Sequence, residues 1–452
     1  MTLTRSTARR WMLFALLLGA VLRGGLLWVA WDPTMPSEPH WRTTSPDTAE
    51  YIRFAGEVRA GRFETSHGRG EIFRSPGYPV WLSVFVDAES SRGVLWLLCA
   101  QIALDLLTIW LAYLLARRLS LSRGVGVFAA MILATSPLLV ASSVRVLSDT
   151  LFAFLLTAAV VLLVRWVRSA QRSMLAPGLL CAAALLATGA YVRPVGLVFA
   201  AAVVVLFVLM RHWRGAITLA VAGVVLCGPW VMRNGLREEY WSFSSAGPDS
   251  MHYTLCPVLE AGESDEIVSV VRDRKFADTE RLRATGLYSE GELARRRWTQ
   301  TRETLARHPG GLMSYYVHGV CGIALPGAGD VLVLADVLVP ERGTVDVLQR
   351  EGLFAAAWHY FNGDLGAMGM ACGLMLLWGA MGLGCALAAW RFVRGRATMP
   401  QGGWMVVGLC AVILLLPNPA LPRYRIPAMA MLAIFSACGW CGIRKRRTAG
   451  QE

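Results

Sequence analysis

Lysine is almost missing from this chain. It stands only at positions 275 and 445, so nearly all of the 44 basic residues are arginine. A genome rich in G and C accounts for that bias, and the net charge of +13 would point to nucleic acid only if the membrane character of the chain were ignored. Charge of either sign is scarce: 17% of the residues are charged and 55% are hydrophobic. That balance excludes an ordinary soluble protein of 452 residues and predicts a polytopic membrane protein. Metal-ligand spacing is absent as well. Most of the cysteines (Cys99, Cys181, Cys227, Cys385, Cys410) sit inside apolar runs, in no pattern that suggests a zinc site or a disulfide framework. Cys256 and Cys321 lie outside the clearest runs. His67, His252, His308 and His318 are scattered without i, i+4 pairing. The chain has no internal repeat and no low-complexity segment.

Long apolar runs are what it does have. A bilayer core of about 30 Å takes about 20 apolar residues per helix. Ten runs qualify, near 11–31, 94–116, 124–142, 148–167, 175–192, 195–210, 215–233, 366–390, 402–418 and 425–443. The first follows Arg5, Arg9 and Arg10 like a signal peptide, but it is long enough to span and no small-residue cleavage site follows, so it reads as a retained span. Basic clusters stand at Arg117/Arg118/Arg123, Arg165/Arg168/Arg172, Arg211/Arg214, Arg391/Arg394/Arg396 and Arg444/Lys445/Arg446/Arg447. With the N-terminus inside, every cluster and the C-terminus fall on the cytoplasmic face. The expected fold is therefore all-α and polytopic, with about ten spans (ten to twelve) and two long external loops carrying interfacial helices. Residues 1–233 would form a transmembrane catalytic module, 234–365 an external stretch with short apolar segments, and 366–452 the last spans. The segments 312–326 and 331–339 are short and interrupted by Gly322, Pro326, Gly327 and Gly329. They fit a re-entrant hairpin, interfacial helices or a further pair of spans.

The long loops, about 32–93 and 234–311, both fall outside. The first holds Ser45-Pro46-Asp47-Thr48-Ala49-Glu50-Tyr51 and then Phe73-Arg74-Ser75-Pro76-Gly77-Tyr78-Pro79. Asp47 with Glu50 has the spacing of a capping box, and Tyr51, Phe54, Ala55 and Val58 form an apolar stripe at helical spacing. Asp47 thus reads equally as a helix cap and as a reactive carboxylate, and the two are compatible. In the second loop, 291–307 has helical composition and stops at His308-Pro309-Gly310.

Arginines also gather where the topology disfavours them. Arg74, Arg145, Arg193, Arg233, Arg423 and Arg425 all lie at external span ends. Any one of them alone reads as a snorkelling side chain. Several loops converging on one face instead suit a phosphate or pyrophosphate headgroup, which guanidinium binds in bidentate fashion. Asp149, in Ser148-Asp149-Thr150, would cap the fourth span or pair with Arg145.

In this order the residues resemble the GT-C glycosyltransferases, and more narrowly the bacterial branch similar to protein O-mannosyltransferases and the lipid A aminoarabinose transferase. The likeness runs from about residue 11 to 440. It rests on an external Asp after the first span, Arg-x-Pro-Gly-Tyr-Pro, Ser-Asp-Thr, Arg-Pro, Pro-Trp-x-x-Arg-Asn, and Arg-Tyr-Arg-x-Pro near the end. The resemblance implies an enzyme of the bacterial plasma membrane with both termini cytoplasmic. It would take a sugar from a polyprenyl-phosphate donor and pass it to a lipid, glycan or protein acceptor on the non-cytoplasmic face. Carried over by position, Asp47 would be the catalytic carboxylate and Arg74 the donor-phosphate contact, with Tyr78 lining the same pocket. Arg423 and Arg425, flanking Tyr424, would be later phosphate or sugar contacts. Glu50, three residues from Asp47, would be a second carboxylate. With no Asp-x-Asp pair, the sequence does not indicate a divalent metal and does not exclude one. The competing expectation is a transporter or lipid flippase, for which the midspan pair Asp105 and Arg23 is the relevant feature. An O-antigen ligase or polymerase uses related donors but would emphasise a different external loop.

Overall fold

The computed structural model describes residues 3–31, 47–65, 68–85, 91–170, 172–264, 266–323, 327–338, 344–395, 402–415 and 422–442. Ser45, Pro46, His67, Pro326, Arg396 and the basic cluster at 444–447 lie outside them. Among the described residues the regular structure is helical, apart from one isolated bridge between Glu64 and Gly70.

All ten apolar runs are helical. Six helices are long and apolar enough to cross a membrane: α1 (Arg5–Ala30), α4 (Ser91–Arg118), α7 (Asp149–Val167), α10 (Trp213–Glu238), α19 (Leu365–Val393) and the segment Arg423–Cys441, which ends in α21 (Met429–Cys441). A seventh is the broken pair α5 (Arg123–Ala134) and α6 (Pro137–Ser143), bent by 58°. Two more, α8 (Pro177–Val192) and α9 (Gly196–Leu209), have 16 and 14 residues, and the described part of a third, α20 (Gly403–Leu415), has 13. At about 1.5 Å per residue α8 and α9 are shorter than the hydrocarbon core. Among the described residues the count by length is thus six or seven, against ten expected, and the difference lies in α8, α9 and α20.

Asp105 on α4 is not an open carboxylate. Arg23 on α1 donates to it from Nε at 2.6 Å. The same guanidinium reaches the carbonyls of Gly19, Ala134 and Leu133 at 3.1, 3.0 and 3.2 Å. Leu133 and Ala134 end α5, whose last carbonyls have no helical partner because Pro137 restarts the chain as α6. The midspan pair therefore staples three helices and caps the break.

The short segments resolve into α15 (Pro309–Ile323) and α16 (Ala328–Leu334). Seven residues of helix reach about 10 Å, so α16 cannot cross a bilayer. It packs instead against α6 and α19.

At one end of the bundle, Arg168 donates to Ser120 at 2.7 Å and Arg172 lies beside His212, which brings the loops at 117–123, 165–173 and 211–214 together. The helices alternate, so the opposite end collects the two long connections. The first contributes α2 (Thr48–Arg59) and α3 (Gly77–Ser83). The second folds into α11 (Ala246–Ser250), a π turn (Met251–Leu255), α12 (Cys256–Ser264), α13 (Val268–Ala284) and α14 (Glu290–Arg307). α14 opens on a complete capping box between Ser289 and Glu292 and stops at His308, where Pro309 begins α15. A buried bidentate pair, Arg297 with Asp249 at 2.7 and 2.9 Å, ties α14 to α11.

Candidate active site

The capping box expected at Asp47 and Glu50 does not form. Asp47 occupies the N-cap position of α2, but in a helical backbone conformation and with no side-chain bond to the helix. Its carboxylate is drawn elsewhere. Oδ1 accepts from Arg74 Nη2 and Oδ2 from Arg423 Nη2, each at 3.2 Å. Glu50 also turns away from the cap and takes Arg74 Nε at 2.7 Å. Two charge-assisted contacts to guanidinium displace a cap contributing about 1 kcal/mol.

Arg74 is presented by the turn before α3, and its guanidinium lies 4.7 Å from the Tyr51 ring centroid. Gly77 is required there: a Cβ would stand 2.6 Å from the Tyr191 carbonyl carbon, so only glycine lets α3 seat against the end of α8. Arg423 comes from the 3-10 turn Pro422–Ala428 that leads into α21. Arg193, just past α8, pairs with Asp149 in the first turn of α7. That ion pair replaces the expected partnership of Asp149 with Arg145. The Tyr424 ring lies between Arg193 and Arg423, at 5.9 and 5.7 Å.

These groups surround a cavity of about 570 Å³. Asp47, Arg74, Arg193, Arg423 and Tyr424 form its charged side, and Val195, Leu197 and Val198 an apolar wall. The second external region closes it with Phe243, Met251, Trp298 and Tyr315. Among the described residues, two that line it carry buried polar atoms with no hydrogen-bond partner, Arg423 Nε and Ser75 Oγ. Asp149 Oδ2, behind Arg193, is a third. Such orphans are rare in folded proteins and mark where a polar ligand fits.

The other expected site residues stand back from the cavity. Tyr78 is fully buried, packs edge-on against Tyr51, and donates to Gln101 at 2.8 Å. Arg145 forms an ion pair with Asp330 of α16, and its carbonyl accepts from Gln101 at 2.7 Å. Arg233 stacks over Trp230 and donates to the carbonyls of Phe63 and Glu71, fastening the first external region to α10. Arg425 is buried with its guanidinium 3.6 Å from the Trp378 ring centroid. Reading the sequence alone missed Ser75, although it lies inside the quoted motif. It also missed Trp298 and Tyr315, whose proximity to Asp47 has no local signal.

Burial works to raise the Asp47 pKa, but the two guanidiniums outweigh it and hold the carboxyl below the ordinary aspartate value of 3.8. Asp47 is therefore ionised at neutral pH, and a weak base while both arginines grip it. Glu71 shows the opposite outcome. Its burial prevails and its pKa is raised, despite two backbone N–H donors and nearby arginines. Among the described residues no group of three or more His, Cys, Asp or Glu side chains is placed to hold a metal ion.

The dolichyl-phosphate-mannose-protein mannosyltransferase family matches residues 77–232. No curated protein matches the chain by sequence. Among solved structures, the chain is similar to the Archaeoglobus fulgidus oligosaccharyltransferase in its apo form, with a TM-score of 0.52, 14% identity, and coverage of 96% of this chain and 50% of that one. It is equally similar to the same enzyme in complex with an inhibitory peptide and a dolichol-phosphate, with a TM-score of 0.51, 14% identity, and coverage of 96% and 50%. A match to ArnT from Cupriavidus metallidurans bound to undecaprenyl phosphate covers 92% of this chain and 77% of that one at 15% identity, with a TM-score of 0.40. The chain spans about half the length of the oligosaccharyltransferase. It shares its fold with the matched half of the oligosaccharyltransferase, in agreement with the fold that the resemblance of its motifs implies.

Proposed function

We propose that the protein is a membrane glycosyltransferase that moves a sugar from a polyprenyl-phosphate carrier to an acceptor on the non-cytoplasmic face of a bacterial plasma membrane. The observation that carries this reading is the bridging of Asp47 between Arg74 and Arg423 inside one cavity, beside an apolar wall. Carboxylate, paired guanidiniums and greasy surface are the three things such a transfer needs. The family match and the dolichol-phosphate bound by the oligosaccharyltransferase support the choice of carrier.

In the proposed reaction the donor phosphate competes with Asp47 for Arg74 and Arg423. As the phosphate takes the guanidiniums, Asp47 loses the contacts that depress its basicity. It then accepts the proton of the acceptor hydroxyl while that oxygen bonds to the anomeric carbon. The bond from that carbon to the phosphate oxygen breaks, and its electron pair leaves with the polyprenyl phosphate. The growing negative charge is stabilised by Arg74 and Arg423, with Arg193 alongside, in a partly desolvated site. The apolar wall at 195–198 would take the start of the polyprenyl chain.

The test is turnover by Asp47→Asn in membranes supplied with a polyprenyl-phosphate sugar. Loss of a general base predicts a fall of about 10²–10⁴-fold with folding preserved. Near-normal turnover would remove Asp47 from the chemistry. Glycan mass spectrometry of a strain lacking the gene should show accumulated donor and a missing glycoform.

A further inference from the structure

Glu71 is a buried carboxylate with no place in the chemistry above. Its Oε1 accepts from two successive backbone N–H groups, Phe73 at 2.8 Å and Arg74 at 3.0 Å. Its Oε2 lies 3.9 Å from Arg53 on α2. The carboxylate thus folds the chain back on itself immediately before the guanidinium that faces the cavity.

The opposite side of that turn is held by the second external region. Ser245 N–H donates to the Ile72 carbonyl at 2.9 Å, and the Ser244 hydroxyl to the Phe73 carbonyl at 2.6 Å. Ser245 is in turn fixed: its hydroxyl donates to Asp249 at 2.6 Å, and Asp249 takes the bidentate grip of Arg297. Arg233 holds the Glu71 carbonyl at 2.7 Å. A continuous set of bonds therefore runs from the buried Arg297–Asp249 pair through Ser245 to the turn that carries Arg74.

We propose that Glu71 is the positioning residue for Arg74, and that Ser244 and Ser245 make the second external region its scaffold. The proposal rests on the reading of Arg74 as a phosphate contact. Glu71 touches no substrate. It sets the backbone from which Arg74 and the unpartnered Ser75 hydroxyl project into the cavity. Two partly buried backbone donors converging on one buried carboxylate oxygen define that turn more tightly than solvent can, because a fixed acceptor holds both N–H groups in one geometry.

The experiment uses the full chain in lipid nanodiscs with farnesyl phosphate as the probe. Hydrogen exchange of the 72–75 amides and farnesyl phosphate affinity are measured together. Glu71→Ala should speed exchange and weaken binding by about tenfold each, the size of effect expected from losing two buried acceptor contacts. Glu71→Gln keeps a carbonyl acceptor in place and should hold both within about twofold. In an Arg74→Ala background, Glu71→Ala should cost clearly less than its full single-variant loss, because it acts mainly through Arg74 and otherwise only through Ser75 on the same turn. Should Glu71→Ala fail to fold, Ser244→Ala removes one contact from a partly exposed residue and should weaken binding about threefold. Unchanged exchange in Glu71→Ala, or a full additive loss in the Arg74→Ala background, overturns the proposal. If exchange responds as expected but the wild-type protein binds no farnesyl phosphate, the placement of Arg74 by Glu71 stands and the donor-phosphate reading fails.

Discussion

The molecule holds two arginine–aspartate networks built from the same side chains and put to opposite ends. The midspan pair Arg23–Asp105 is closed: both side chains are almost wholly buried, and the guanidinium spends its remaining donors on the carbonyls of Gly19, Leu133 and Ala134. The rim network is shared and open. Asp47 divides its two oxygens between Arg74 and Arg423, a third of its side-chain surface stays exposed, and Arg423 keeps a donor to spare. A satisfied network in hydrocarbon holds helices together. An incompletely satisfied one beside a cavity can exchange partners, and exchange is what a reaction requires.

The sharpest way to break this contrast is to remove one partner from each network. Arg23→Ala strands the Asp105 carboxylate among apolar helices and should destabilise the protein by about 3–5 kcal/mol. The double change Arg23→Met with Asp105→Leu should recover most of that, since apolar packing often equals or betters a buried ion pair. Asp47→Asn should move stability by no more than about 1 kcal/mol, because its pairs are partly solvated, while removing turnover. Thermal unfolding in nanodiscs reads both. A large stability loss in Asp47→Asn would make the rim a structural staple like the other.

A second comparison is between the empty and the loaded rim. In the free protein Arg74 and Arg423 hold the Asp47 pKa below 3.8, so the carboxylate stays ionised until pH falls through that lowered value. With a phosphate on the same arginines, their pull on Asp47 is divided and a new negative charge sits close by. Both effects raise its pKa. The acid limb of kcat, which reports the loaded site, should therefore lie at higher pH than the limb of kcat/KM, which reports the free one. Coincident limbs in pH–rate profiles would mean that the phosphate does not take the arginines from Asp47.

How much of this was legible in the sequence follows from what each signal depends on. Apolar runs and arginine clusters are one-dimensional, so the helical segments and the gathering of three of the basic loops at one end could be read directly. α8 and α9 come out shorter than full spans by length because the chain breaks at Arg193-Pro194, between the two apolar runs. Asp47 and Arg74 stood out because an acid and an Arg-x-Pro-Gly are conspicuous in a loop. The capping box failed because spacing along the chain says nothing of guanidiniums arriving from residue 423. Arg145 and Arg425 carried the same signal as Arg193 and Arg423, yet one pairs with Asp330 and the other lies on Trp378. Which arginine faces a cavity depends on how helix ends are rotated, and no local pattern encodes that.

Within the open network, the orphaned Ser75 hydroxyl and the satisfied Glu50 carboxylate should differ in a way that grades the contrast. Ser75 is almost fully buried, and its hydroxyl has no hydrogen-bond partner among the described residues. A ligand that completes it gains one hydrogen bond, so Ser75→Ala should weaken farnesyl phosphate binding by about 0.5–1.5 kcal/mol. An unchanged affinity would place the phosphate away from that corner. Glu50 should matter less and in the other direction. More than half of its side-chain surface is exposed, so its 2.7 Å contact with Arg74 is screened and contributes a few tenths of a kcal/mol to about 1 kcal/mol. Glu50→Gln removes a competitor for Arg74 without removing an amide-sized group. It should tighten farnesyl phosphate by no more than about threefold and leave kcat close to wild type. A loss of kcat comparable with that of Asp47→Asn would instead make the two carboxylates a working pair, and the rim would then hold two catalytic carboxylates rather than one.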